Sequence, residues 1–118
     1  MEMKFRGIDI KTGEMVFGGG IDSQRDTPII INHGERYFVD AKTVGMFTGM
    51  KDIDDNELYQ GDIVEVDGDI EVIRFDGGAF CVDVRGCDYD FTAIGWAQSN
   101  NAISKLGNIH QNHELLEQ

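Results

Sequence analysis

Positive charge is scarce in this chain. Ten Lys and Arg face 22 Asp and Glu among 118 residues, a net charge of −12. That balance argues against direct nucleic-acid binding, because phosphate contacts need Lys or Arg. Proline occurs once, at Pro28, closing a polar stretch from residue 21 that reads as a surface loop. Cysteine occurs twice, too few for a disulfide framework. Cys81 and Cys87 flank an Arg85-Gly86 turn, and a hairpin there would set them opposite each other. With no leader-like stretch at the start, reduced thiols in a cytosol are expected. No apolar run approaches the roughly 20 residues that cross a membrane, so no membrane contact is expected. There is no long amphipathic helix, internal repeat or low-complexity tract.

The arrangements that carry catalysis are missing too. There is no Gly-x-Ser-x-Gly elbow. Gly18-Gly19-Gly20 is not followed by Gly-Lys-Ser/Thr or by a helix, and reads as flexible punctuation rather than a phosphate loop. Cys81 or Cys87 with His33, His110 or His113 would supply a thiol and a base, but nothing in the spacing brings them together. His110 and His113 offer two ligands near a chain end, where a metal site needs more. Asp52, Asp54 and Asn56 match the first alternating ligands of a calcium loop. Glu57 then stands where that loop needs Gly, and Ile63 where it needs a bidentate Glu. No enzyme, metal or cofactor is expected.

What the chain does have is short strand signals at close spacing, with turn dipeptides between them. Phe5, Ile8 and Ile10 lead through Lys11-Thr12-Gly13-Glu14 to Met15-Val16-Phe17. Ile29–Ile31 and Arg36–Val39 bracket Asn32-His33-Gly34-Glu35, a hairpin signal. Thr43–Thr48 is strand-favouring, and Lys51–Glu57 is a polar, acid-rich loop. Gly61-Asp62 marks a corner. After it the chain reads as a meander: Asp62–Val66, a turn at Asp67-Gly68, Ile70–Phe75, a turn at Asp76-Gly77-Gly78, and Ala79–Val84. In that last run Phe80, Val82 and Val84 share one face and Cys81, Asp83 and Arg85 the other, which predicts one face in a core and one in water. Tyr89, Phe91 and Trp96 are then barrel filling or a surface patch. Ser99–Asn101 is a loop, Ala102–Ile109 a final strand, and Asn112 caps at most one short helical turn at Glu114-Leu115-Leu116. The fold predicted is mainly β: an N-terminal β segment over residues 1–40 with a flexible loop, then a small β-barrel over residues 41–118.

The run Thr43-Val44-Gly45-Met46-Phe47-Thr48-Gly49-Met50-Lys51-Asp52, followed by Glu57-Leu58-Tyr59-Gln60-Gly61-Asp62-Ile63-Val64, resembles the YopX family of small phage and prophage proteins. Lys4-Phe5-Arg6-Gly7-Ile8-Asp9 resembles that family's opening, and Leu106–Leu116 its closing segment. His113 departs from the Pro often found there, and residues 18–36 match no part of the pattern. The resemblance implies an SH3-like barrel for the C-terminal part and no assigned activity.

Charge placement narrows the reading. Asp52–Asp90 holds 13 Asp or Glu against two Arg, so −11 of the net charge lies in 39 residues. The expected function is a non-catalytic interaction module with an acidic surface, taking a basic host or phage protein as partner. Asp52, Asp54, Asp55 and Glu57, at the loop tip, are the expected contact residues. The alternative is a nucleic-acid-associated small barrel or a nucleic-acid mimic. Self-association is also expected, because a short apolar N-terminal segment needs something to pack on.

Overall fold

A computed structural model of the chain describes residues 3–66, 68–76, 79–84, 87–90 and 103–116. Among these residues the regular structure is β, apart from two single 3-10 turns at Ala41–Thr43 and His113–Leu116. The mainly β prediction holds. The chain divides into two compact units, Met1–Phe47 and Thr48–Gln118.

The first unit begins with an antiparallel hairpin of β1 (Phe5–Ile8) and β2 (Met15–Gly18), with Phe5 opposite Gly18 and Ile8 opposite Met15. Its turn lies where the sequence predicts one. Gly13, at φ 74, donates to the Asp9 carbonyl at 2.8 Å, and the Lys11 amide donates to Asp9 Oδ1 at 2.8 Å. The other edge of β1 pairs with Gly45 and Met46, the first residues of β6 (Gly45–Lys51). A second sheet holds β3 (Gly20–Asp22), β4 (Ile29–Asn32) and β5 (Glu35–Phe38), with β4 central. The β4–β5 turn is two residues, His33 at φ 49 and Gly34 at φ 84, the positive pair that a type I′ hairpin requires. Ile29, Ile30 and Val39 are fully buried, each contributing about 1.5–3 kcal/mol of apolar burial.

Two expectations need correction here. Gly20–Asp22 is a strand, its backbone paired with Ile29–Ile31, so the loop predicted over residues 21–28 begins at residue 23. Nor is Gly18 flexible punctuation: a Cβ there would run into the Ile31 carbonyl, so glycine permits the close approach of two backbones.

In the second unit the later part of β6 lies beside β7 (Glu57–Tyr59), and Thr48 Oγ1 donates to the Leu58 carbonyl at 2.8 Å. One three-stranded sheet has the order β13 (Ile103–Asn108), β8 (Asp62–Val66), β9 (Asp69–Val72). Another has the order β10 (Arg74–Asp76), β11 (Ala79–Val84), β12 (Cys87–Asp90). Leu58, Ile63, Val82 and Ile103 are fully buried.

The predicted strand Ile70–Phe75 is two strands, broken at Ile73. The Ile73 amide donates to the Asp62 carbonyl at 2.9 Å and its carbonyl accepts from Gly61 at 2.8 Å, which diverts the run from one sheet to the next. The β11 alternation also fails in part. Cys81 is as buried as Phe80 and Val82, so both faces of the strand are covered there. Nor do the cysteines oppose each other: Cys81 lies across from Asp90 and Cys87 across from Val84, and Cys81 is a free thiol. Phe91, Trp96 and Ser99–Asn101, and the side chain of Tyr89, lie outside what is described. The predicted closing turn is present, with the Leu115 amide donating to the Asn112 carbonyl at 3.0 Å.

Candidate functional site

The loop between β6 and β7 is built on Asp52. Its amide donates to the Asn56 carbonyl at 2.9 Å, and its carbonyl accepts from the Asp55 amide at 3.1 Å. Asp55 closes the turn at φ 68, a left-handed conformation that Asp tolerates better than most side chains. Three residues, Ile53–Asp55, therefore project beyond a closed hydrogen-bonded ring.

The four carboxylates singled out in the sequence do not share one environment. Asp54 and Asp55 are exposed. Asp55 makes a 3.5 Å ion pair with Lys51, but side-chain exposures of 82% and 50% leave it in water, where such a pair is worth little. Glu57 is half-buried, with Oε1 accepting from the Tyr59 hydroxyl at 3.3 Å. Asp52 does not present its carboxylate at the loop tip as expected; it is 6% exposed and turned inward. The cause is local. Asp54 and Asn56 donate their amides to Oδ1 at 2.9 and 2.8 Å, Asn56 Nδ2 donates to Oδ2 at 3.2 Å, and the Lys105 amide of β13 donates to Oδ2 at 2.8 Å. Burial pushes the Asp52 carboxyl up. The hydrogen bonds from Lys105, Asn56 and Asp54 outweigh it and hold the group below the ordinary aspartate value.

A second carboxylate, unmarked as a site in the sequence, is more deeply placed. Asp62 is fully buried; its Oδ2 accepts from the Tyr59 amide at 2.7 Å and lies 3.4 Å from Lys105 Nζ. The same ammonium donates to the Glu57 carbonyl at 3.1 Å and lies 6.0 Å from the Tyr59 ring centroid. Lys105 thus ties β7, the Gly61–Asp62 corner and β13 together. The signal was legible in part: Lys105 is the only Lys or Arg after Arg85.

The remaining polar candidates serve the backbone. Asn108 Oδ1 accepts from the His110 and Gln111 amides at 3.0 Å each, and Asn112 Oδ1 accepts from the Asn108 amide at 3.1 Å. His33 is an exposed turn residue. Among the described residues, no three His, Cys, Asp or Glu side chains gather to hold a metal ion.

Loop, corner and closing turn are the segments Lys51–Asp52, Glu57–Val64 and Leu106–Leu116, and the YopX protein family matches the chain over residues 4–117. The chain belongs to the YopX family. A similar protein is the SPbeta prophage-derived uncharacterized protein YopX of Bacillus subtilis (strain 168), 37% identical over 68 residues. That match covers 51% of this chain and 50% of the Bacillus protein, so the chain spans about half the length of the curated relative. In this YopX chain Asp52, Glu57 and Asp62, from the first two of these segments, all reach Lys105, the residue just before the third.

Proposed function

We propose that this YopX-family chain is a non-catalytic protein-interaction module of phage or prophage origin. It acts in the bacterial cytoplasm and docks its acidic second unit on a basic host or phage protein. One observation carries the reading: Asp54 and Asp55 point outward from a loop whose shape Asp52 fixes from inside. A charged pair on a pre-formed loop loses less entropy on binding than one on a mobile tail. The surrounding excess of carboxylate steers a cationic surface and repels phosphate. The antiparallel sheets of the second unit are compatible with an SH3-like barrel, a fold that hosts interaction modules, which is support by analogy.

The test uses a partner captured from nuclease-treated bacterial lysate and purified. Changing Asp54 and Asp55 together to Asn, with Asp52 kept, should weaken its binding about tenfold at low salt and flatten the salt dependence. Unchanged affinity and salt dependence would leave these carboxylates only solubilising. A wild-type chain that shifts DNA or RNA at physiological salt would overturn the charge argument itself.

A further inference from the structure

Among the described strands, β13 is the outer strand of its sheet. In an antiparallel pair, alternate residues turn their amide and carbonyl away from the partner strand. In β13 two such groups are met from outside. The Ile53 amide donates to the Ile103 carbonyl at 3.2 Å, and the Lys105 amide donates to Asp52 Oδ2 at 2.8 Å. Neither partner is a strand. A loop amide and a side-chain carboxylate occupy the positions where a neighbouring strand would offer its N–H and C=O.

We propose that the β6–β7 loop is a removable strap over the outer edge of β13, and that this edge, once uncovered, pairs antiparallel with the same edge of a second copy of the chain.

The hydrogen-bond pattern selects that occupant. In an antiparallel pairing centred on Ser104, Ile103 of each copy lies opposite Lys105 of the other. Each Lys105 amide then donates to the opposite Ile103 carbonyl. Those are the same two groups that the strap now satisfies, so the edge is complementary to itself, as a two-fold interface requires. Charge points the same way. Lys105 is the only charged residue in β13, so in a chain of net charge −12 this edge is a place where two copies can approach without acid facing acid. Apolar surface is at hand too: Ile53 on the strap and Leu106 on the strand are 45% and 41% exposed. The register shift between Lys105 and Gly107 ends the regular edge and confines pairing to Ile103–Lys105. Covered edges of this kind are a common defence against strand-to-strand association. Asp54 and Asp55 take no part, so this inference stands or falls separately from the acidic docking above.

The test compares the full-length wild type with D52A and D52N by sedimentation over a concentration series, with amide exchange followed at Lys105. Opening the strap should speed exchange at Lys105 in dilute solution and lower the concentration of half-dimerisation about tenfold. S104C added to the D52A chain should give an inter-chain disulfide on mild oxidation, since residues opposite in such a pair lie within disulfide reach. The same treatment should leave D52A without S104C uncrosslinked and should act far more slowly on S104C in the wild type. If D52A does not fold, D52N carries the same tests. A folded variant that keeps Lys105 protected, keeps the wild-type mass throughout, or dimerises without the Ser104 crosslink overturns the proposal. So does unfolding of both variants, because such a strap is not removable.

Discussion

The two units answer opposite demands with the same antiparallel architecture. Met1–Phe47 carries seven acidic and six basic residues, whereas Thr48–Gln118 carries 15 acidic and four basic. The first unit is nearly neutral and closes its sheets through glycine: Gly18 lets β2 lie against the Ile31 backbone, and Gly34 completes a two-residue turn. The second unit, rich in carboxylate, uses two of its acids as internal fittings. Asp52 and Asp62 are buried, and each accepts backbone amides that have no strand neighbour to serve them. Net charge alone therefore misstates the surface available to a partner. Part of the acid is consumed inside, and Asp54 and Asp55 are the loop carboxylates left facing water.

If buried carboxylate is what closes the second unit, Asp62→Ala should have the largest effect. It leaves the Tyr59 amide without its acceptor and Lys105 without its nearest carboxylate. A loss of about 3 kcal/mol in urea unfolding is expected. Amide exchange should rise in β7, β8 and β13, and an equal rise in β4 would erase the distinction between the units. The matching change in the first unit is Gly18→Ala. Its methyl group meets a carbonyl rather than a flexible side chain, so the strand must shift. The expected cost is about 2 kcal/mol, read by thermal unfolding, with exchange rising first in β2 and β4.

Much of this contrast could be read in the residues, and the parts that could not share one cause. Strands whose identity rests on β-branched runs and turn dipeptides, such as β4, β5, β8 and β11, were legible because the signal is local. The Asn112 turn was legible for the same reason. The strand β3 was not, because Gly-Ile-Asp gains its pairing from Ile29–Ile31, several residues on. The break at Ile73 was not legible either, since it is imposed by the Gly61–Asp62 corner from another part of the chain. In the site, the exposed Asp54 and Asp55 follow from loop composition. Of the bonds that turn Asp52 inward, those from Asp54 and Asn56 lie within the loop, but the one from the Lys105 amide comes from 53 residues away, and no spacing within the loop reports it.

Acid should sharpen the comparison further, with a smaller effect. The Asp52 carboxyl in the folded chain lies below its ordinary value, while in the unfolded chain it titrates at the ordinary 3.8. A depressed group stabilises fully above the unfolded value, and its contribution is lost as pH falls through the folded one. The stability difference between wild type and Asp52→Asn should thus be constant, at about 1–2 kcal/mol, near neutral pH and should shrink below about pH 4. Denaturation at several pH values reads it. A difference that persists undiminished at pH 2 would mean that shape rather than charge holds the loop.

The smallest expected effects lie at the two turn tips, where the units can be compared under one substitution. His33 at φ 49 and Asp55 at φ 68 both occupy the left-handed region, and Asn is the side chain that enters it most readily after glycine. His33→Asn makes the β4–β5 turn Asn-Gly, the best type I′ dipeptide, and should stabilise the first unit by about 0.5 kcal/mol. That gain is conformational, so added salt should leave it unchanged. Asp55→Asn meets the same backbone demand but also removes a charge. It gives up the exposed pair with Lys51 and lowers the negative charge of an acid-rich loop. Its benefit should be a few tenths of a kcal/mol at low ionic strength and should fade as salt screens the repulsion. Thermal unfolding of both variants in low and high salt separates the cases. Should Asp55→Asn prove destabilising, and more so at low salt, the Lys51 pair outweighs the repulsion around it, and the loop's acid is locally neutralised rather than held ready for a partner.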